Sequence, residues 1–205
     1  MVSESKRFVI ICGGECDVRG IPTKAVENSF VIAADSGYDT AVSLGVTPDL
    51  LVGDMDSIIR VPDGVEVLRV KAEKDDTDTM LAIGIAMAMG AEEIVIIGGG
   101  GGRADHWLSN VFMLEALSDC GIRAELNDGI NRIFVLSDGE VRLKNVGGYF
   151  GLIALENSIV TATGCKYPLA QAPLRRTHPY AVSNEVTSDE AVITVRGKVI
   201  VVQSR

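Results

Sequence analysis

Five short runs in the first hundred residues are predominantly apolar and hardly alternate: Phe8–Cys12 (FVIIC), Phe30–Ala34 (FVIAA), Leu50–Val52 (LLV), Val65–Val70 (VEVLRV) and Glu93–Ile97 (EIVII). A strand with one wet face alternates apolar and polar residues; a run that does not must be covered on both faces. Helical patterns fit between these runs, so the first ~125 residues read as α/β with a mostly parallel sheet. Ser36 to Leu44 predicts a helix closed by Gly45. Thr77 to Met89 predicts a second, with Asp76 or Thr77 as its cap, Met80, Ile83 and Met87 on one face, and Gly90 at its end. His106 to Cys120 predicts a third, with Leu108, Val111, Leu114 and Leu117 inward and Gly121 at the stop.

Beyond about residue 130 the texture changes to short β-rich runs separated by turn residues. They are Ile133–Leu136, Glu140–Lys144, Tyr149–Leu155, Ser158–Ala162, Ala191–Arg196 and Lys198–Val202. VITVRGKVIVV predicts a hairpin turning near Gly197. A domain boundary is therefore expected near Gly129–Asn131, with an antiparallel β-sandwich after it.

The chemistry-bearing residues follow the predicted strands. AADSG (Ala33–Gly37), GDMDS (Gly53–Ser57), KDDTD (Lys74–Asp78) and GGGGGRADH (Gly98–His106) are each positioned to meet at the carboxyl edge of an α/β sheet, where such folds bind ligands. Asp54 and Asp56 stand two positions apart, on one face of an extended chain. Two carboxylates that close resist joint ionisation unless a cation lies between them. With Asp35, Asp75, Asp76, Asp78 and Asp105 they form an all-oxygen donor set, which selects magnesium or calcium over zinc. Caps and turns explain Asp76 and are an equal explanation for Asp75, but they do not require both Asp54 and Asp56. The run Gly98–Gly102 can bring backbone N–H groups to phosphate oxygens at a helix start. It is neither a Walker A loop nor a G-x-G-x-x-G fingerprint. Arg103 suits phosphate recognition, the alternative being a salt bridge to a neighbouring aspartate. His106 is a helix-start residue or a site residue, and Lys74 a surface lysine or a second cation at the phosphates.

Composition narrows the classes further. A net charge of -9 disfavours a nucleic-acid binder, and a bound metal would reverse the local field for an anionic substrate. No apolar run approaches the ~20 residues of a membrane span, and the N-terminus lacks a signal-peptide layout. The cysteines, Cys12, Cys16, Cys120 and Cys165, form no C-x-x-C pair, and His106 and His178 complete no zinc site, so reduced thiols in a cytoplasmic protein are expected.

ADSG, PDLLVGDMDSI, KDDTD and GGRADH, in this order and spacing, resemble the thiamine pyrophosphokinase family, as do TATGCKYPLA (Thr161–Ala170) and VSNEV (Val182–Val186). The resemblance spans about Cys12 to Val195. It implies an N-terminal Rossmann-like nucleotide domain over residues 1–129 and a C-terminal β-sandwich over 130–205, paired as a homodimer with thiamine in a cleft between subunits. It implies ATP as co-substrate with Mg2+, Asp54, Asp56 and Asp78 as metal ligands, and Asp35 as the aspartate of the first motif. Thr77, Arg103 and Asp105 match positions lining the phosphates, with Lys74, Gly101 and Gly102 beside them. Ser183 and Asn184 match the pair that hydrogen-bonds the pyrimidine of thiamine. Tyr167 stands where many members carry a tryptophan facing the thiamine ring; the alternative is a core residue of the sandwich. The implied reaction is pyrophosphoryl transfer from ATP to thiamine. A magnesium phosphohydrolase and a non-catalytic nucleotide-binding module are the rival readings.

Overall fold

The structure, a computed structural model, describes residues 6–55, 64–70 and 76–205. Its contacts divide the chain into two compact units, Met1–Gly129 and Ile130–Arg205, of a mixed α/β fold with few helices.

The first unit contains β1 (Arg7–Ile11), β2 (Phe30–Ala34), α1 (Gly37–Ser43), β3 (Leu50–Gly53), β4 (Glu66–Arg69), α2 (Asp78–Ala88), β5 (Glu93–Ile97), α3 (Ala104–Asp119) and β6 (Arg123–Asn127). Its strands lie in the order β6-β5-β1-β2-β3-β4, and every pairing is parallel. Val9 and Ile11 of β1 and Val95 and Ile97 of β5 pack with Ala41 of α1; Ile10, Ile32 and Ile96, pointing the opposite way, are equally buried. Burial on both faces is why β1, β2, β3 and β5 carry no polar alternation; β4, expected to be covered in the same way, is instead exposed at Glu66, Leu68 and Arg69, as befits an edge strand.

Two helix faces differ from the sequence expectation. In α2 the buried residues are Ala82, Ile83 and Ala86, whereas Met87 is exposed; small residues let that helix sit close to the sheet. In α3 the inward set is Asn110, Val111, Leu114 and Leu117, and Leu108 faces out. Val111, Leu114 and Leu117 are inward as expected, and the fourth member of the buried set is polar Asn110, one residue before Val111, in place of Leu108. The strand β6 (RAELN) went unread because its residues are mostly polar.

The second unit contains β7 (Asn131–Lys144), β8 (Tyr149–Ala154), β9 (Ser158–Thr163), β10 (Leu169–Leu174), β11 (Asn184–Glu185) and β12 (Glu190–Ser204), joined by antiparallel pairings. The hairpin expected at Gly197 does not exist. Glu190–Ser204 is one strand that pairs with β7 along its whole length, with a register shift between Val195 and Lys198. Gly197 is left-handed (φ +101°), and its N–H donates to Asp138 Oδ1 at 2.8 Å. This is a β-bulge, which bends a strand where a hairpin would reverse it. At the bulge β12 changes its second partner, from β9 (Val192–Arg196) to β8 (Val199–Ser204). Phe150, Leu152, Val160, Leu174, Ile193, Val195, Val199 and Val201 share the resulting core.

Candidate active site

The sheet of the first unit changes winding direction between β1 and β5: β2, β3 and β4 follow on one side of β1, while β5 and β6 lie on the other. At such a switch point the connections leave in opposite directions and open a crevice beyond the carboxyl ends. A cavity of about 460 Å³ occupies that place. It is lined by Cys12–Gly14 after β1, Ala34–Ser36 after β2, Asp76–Thr79 at the entry to α2, Gly98–Arg103 after β5, and His106, Trp107 and Asn110 of α3.

The loops after β1 and β5 are laced by backbone hydrogen bonds. Cys12 N–H donates to Ile97 O at 2.8 Å, and Glu15 N–H donates to Gly100 O at 3.0 Å. A Cβ on Gly14 would overlap the carbonyl oxygens of Gly98 and Gly100, so only glycine permits this approach. Gly101 and Gly102 are both left-handed (φ +66° and +63°) and deliver the chain to α3. Buried Asn110 donates from Nδ2 to Gly99 O at 2.9 Å, fixing α3 against the loop. Arg103 stands at the N-cap of α3 with no cap bond from its own side chain, and in the first turn His106 N–H donates to Asp105 Oδ1 at 3.0 Å. Together these features form an anion cradle at a helix start.

Asp35, Asp76 and Asp78 line the same cavity, whereas Asp54 and Asp105 are not among its lining residues. Asp35 is left-handed (φ +47°), its N–H donates to Val52 O at 2.8 Å, and its buried Oδ1 has no hydrogen-bond partner among the described residues. A Cβ on Gly53 would stand 3.1 Å from Asp35 Cα, so the ends of β2 and β3 touch, and Asp54 follows directly. Met55, next in line, is also left-handed (φ +68°). Two neighbouring non-glycine residues in this region, each costing about 1–2 kcal/mol, mark a geometry imposed by its surroundings. Asp78 begins α2; the cap is Thr77, whose Oγ1 accepts from Met80 N–H at 3.2 Å, so Asp76 is free of the capping role. Cys12 Sγ lies 3.3 Å from Thr79 Oγ1 and ties α2 to the end of β1. Burial pushes that thiol up to about 11, and Asp78 adds to the rise while the Thr79 bond opposes it. Asp56, Lys74 and Asp75 lie outside the described residues.

The site fits a hard divalent cation. Magnesium is held by one or two carboxylates completed by substrate phosphates and water. Asp35 Oδ1 is a buried oxygen with no partner among the described residues, and the carboxylates of Asp76 and Asp78 line the same cavity, beside the softer donors Cys12 and His106. Among the described residues no three acidic, histidine or cysteine side chains gather closely enough to form a metal cage on their own.

Arg103 forms the salt bridge anticipated as its alternative. Its Nε donates to Asp105 Oδ1 at 3.1 Å and its Nη2 to Oδ2 at 2.6 Å, at a solvent-exposed position. This fork holds the Asp105 carboxyl down at about 2. A phosphate would compete with Asp105 for the same guanidinium.

In the second unit Tyr167 is 57% exposed, which rules out the core reading. Ser183 is exposed and left-handed (φ +57°). Asn184 is buried, and its carboxamide is occupied: Oδ1 accepts from Tyr167 N–H at 3.0 Å and from Glu185 N–H at 3.0 Å, while Nδ2 donates to Tyr167 O at 2.8 Å. Asn184 here braces Tyr167.

Thr79, Asn110 and Trp107 were not singled out from the sequence. Asn110 and Trp107 share a spacing of three on α3, which was a usable signal once the helix was placed.

Family models match two stretches: "Thiamin pyrophosphokinase, catalytic domain" over residues 23–126, and "Thiamin pyrophosphokinase, vitamin B1 binding domain" over residues 140–200. The chain belongs to the thiamine pyrophosphokinase family. The thiamine pyrophosphokinase of Bacillus subtilis is 31% identical over 189 residues, covering 87% of this chain and 88% of that one. A crystal structure of thiamine pyrophosphokinase from B. subtilis superposes with a TM-score of 0.84 at 28% identity, covering 97% and 98% of the two chains. The family protein from Enterococcus faecalis follows at 0.81 and 27%, covering 97% and 99%. The catalytic-domain match of this thiamine pyrophosphokinase family member takes in every cavity-lining segment except Cys12–Gly14, and the second match contains Tyr167, Ser183 and Asn184.

Proposed function

We propose that this protein is a magnesium-dependent thiamine pyrophosphokinase that transfers the pyrophosphoryl group of ATP to the hydroxyl of thiamine, giving thiamine diphosphate and AMP. In this reading Met1–Gly129 is a Rossmann-like nucleotide domain, and Ile130–Arg205 is a β-sandwich that receives thiamine and pairs two subunits. The observation that carries it is Asp35: a buried carboxylate oxygen with no partner among the described residues, in a cavity also lined by the Gly98–Gly102 loop.

The glycine loop and the α3 N-terminus hold the phosphates through backbone N–H groups. Asp35, Asp54 and Asp78, with Asp56, hold the metal. Magnesium, when bound, neutralises phosphate charge and polarises the phosphorus under attack. The hydroxyl oxygen of thiamine forms a bond to the β-phosphorus, the bond from that phosphorus to the α,β-bridging oxygen breaks, and AMP carries away that oxygen. The hydroxyl proton passes to a carboxylate of the GDMDS loop, Asp54 or Asp56. Arg103, released from Asp105, offsets charge on the transferring group. Exposed Tyr167 offers a π-face to the cationic thiazolium, and Ser183 a hydroxyl to the pyrimidine. Asn184 supports both by fixing the Tyr167 backbone. The exposed apolar residues Tyr149, Tyr167 and Val182 support a homodimer with thiamine at the subunit interface.

Incubation with ATP, Mg2+ and thiamine tests the reading. Thiamine-dependent AMP with no ADP is expected. Phosphate release without thiamine would assign a phosphohydrolase, and nucleotide binding without turnover a regulatory module.

A further inference from the structure

We propose that Trp107 is the stacking surface for the base of the donor nucleotide, an assignment that rests on the donor occupying the cavity described above. The chain has one tryptophan, and among the described residues lining that cavity Trp107 is the only Phe, Tyr or Trp. The rest of the wall is glycine, alanine, serine, threonine, aspartate, cysteine, Asn110, Arg103 and His106.

The placement matches a nucleotide's length. Trp107 N–H donates to Arg103 O at 3.1 Å, so its backbone sits one helical turn, about 6 Å along the axis, after Arg103, and its side chain lines the cavity. Phosphates read by the Gly98–Gly102 loop leave the nucleoside to run along this wall. Asn110, one turn further, locks α3 to Gly99 O, so the indole is carried on a fixed base. The ring is 37% exposed although it lines a cavity, so apolar face is available for a ligand to cover. Stacking reads ring area more than hydrogen-bond pattern. Trp107 therefore favours purine over pyrimidine donors while leaving ATP against GTP to other contacts.

The test uses Trp107 as its own reporter in the wild-type protein. Indole emission is titrated with ATP and with inorganic tripolyphosphate, and occupancy by each is measured in parallel by equilibrium dialysis. ATP is expected to change the emission saturably, in step with its occupancy, while bound tripolyphosphate leaves it unchanged. ATP occupancy with unchanged emission, or an equal response to tripolyphosphate, would overturn the stacking assignment and leave the donor site standing. Absence of ATP occupancy would overturn the donor reading and this inference with it. In turnover, Trp107→Ala is expected to raise KM for ATP about 5–30-fold, to narrow the preference for ATP over CTP, and to leave KM for thiamine in place. Trp107→Phe should recover most of the loss. Equal increases in both KM values, in a variant with wild-type circular dichroism, would sink the assignment.

Discussion

Asn184 and Tyr167 exchange two hydrogen bonds, Tyr167 N–H to Asn184 Oδ1 at 3.0 Å and Asn184 Nδ2–H to Tyr167 O at 2.8 Å, so a side chain completes the ladder that a strand would otherwise supply. The exposed tyrosine ring is thus carried on a backbone fixed from beneath. Asn184→Ala removes the acceptor of Tyr167 N–H and Glu185 N–H and leaves Tyr167 O only the weak Cys165 thiol donor, and is expected to cost about 1–3 kcal/mol. It should also raise KM for thiamine while leaving KM for ATP unchanged. Denaturant unfolding and steady-state kinetics check the two halves. A loss of stability with no change in thiamine KM would separate Tyr167 from the substrate.

Asp35 should behave in the opposite sense. It is left-handed, and its buried Oδ1 has no partner among the described residues, so the folded chain carries a cost that the bound state relieves. Asp35→Gly removes the backbone strain and is expected to stabilise the fold by about 1 kcal/mol, while turnover falls about 100-fold or more. Thermal melting and AMP release measure both. A destabilised, active variant would contradict the role given to this residue.

The Arg103–Asp105 fork makes a pH prediction. Asp105 is held at about 2, below the usual 3.8, first by the hydrogen bond from Arg103. A depressed carboxylate contributes its stabilisation above the unfolded value, and that contribution fades as pH falls from 3.8 through about 2. Carboxyl 13C titration should show Asp105 ionised at pH 3, and Arg103→Ala should return it towards 3.8. Saturating ATP competes for the guanidinium and should shift Asp105 in the same direction.

Cys12 titrates in the alkaline range. Its thiol is raised from 9.0 to about 11, chiefly by burial. Between those values the unfolded chain has lost a proton that the folded chain keeps, so this contribution to stability is complete below pH 9 and is lost as pH rises towards 11. Cys12→Ser or Cys12→Ala should flatten that part of the stability curve. At pH 8 Ellman's reagent should label exposed Cys120 first and reach buried Cys12 and Cys165 only on unfolding.

The sequence carried the first unit well because strands buried on both faces announce themselves: FVIIC, FVIAA and EIVII have no other comfortable home. It carried Gly197 badly because a glycine between two alternating runs signals a hairpin and a bulge equally. Only the continuous pairing of Glu190–Ser204 with Asn131–Lys144 separates the two. At the site, the clusters after β2, β3 and β5 and at the start of α2 are legible as anion- and cation-binding chemistry, whereas the Gly13–Gly14 loop after β1 is not. Nor are the roles of Asn184, Asn110 and Trp107, since each depends on a partner distant in sequence or on which way a helix faces.

The central claim is that carboxylates at the ends of β2 and β3 and at the start of α2 share a hard divalent cation with the donor nucleotide. Electron paramagnetic resonance of Mn2+ tests it most directly, titrated against the protein with and without ATP, and against Asp35→Asn, Asp54→Asn and Asp78→Asn. ATP-enhanced binding in the wild type, weakened at least about tenfold by each substitution, is the predicted result. Mn2+ binding indifferent to all three substitutions, in variants that still fold, would contradict it.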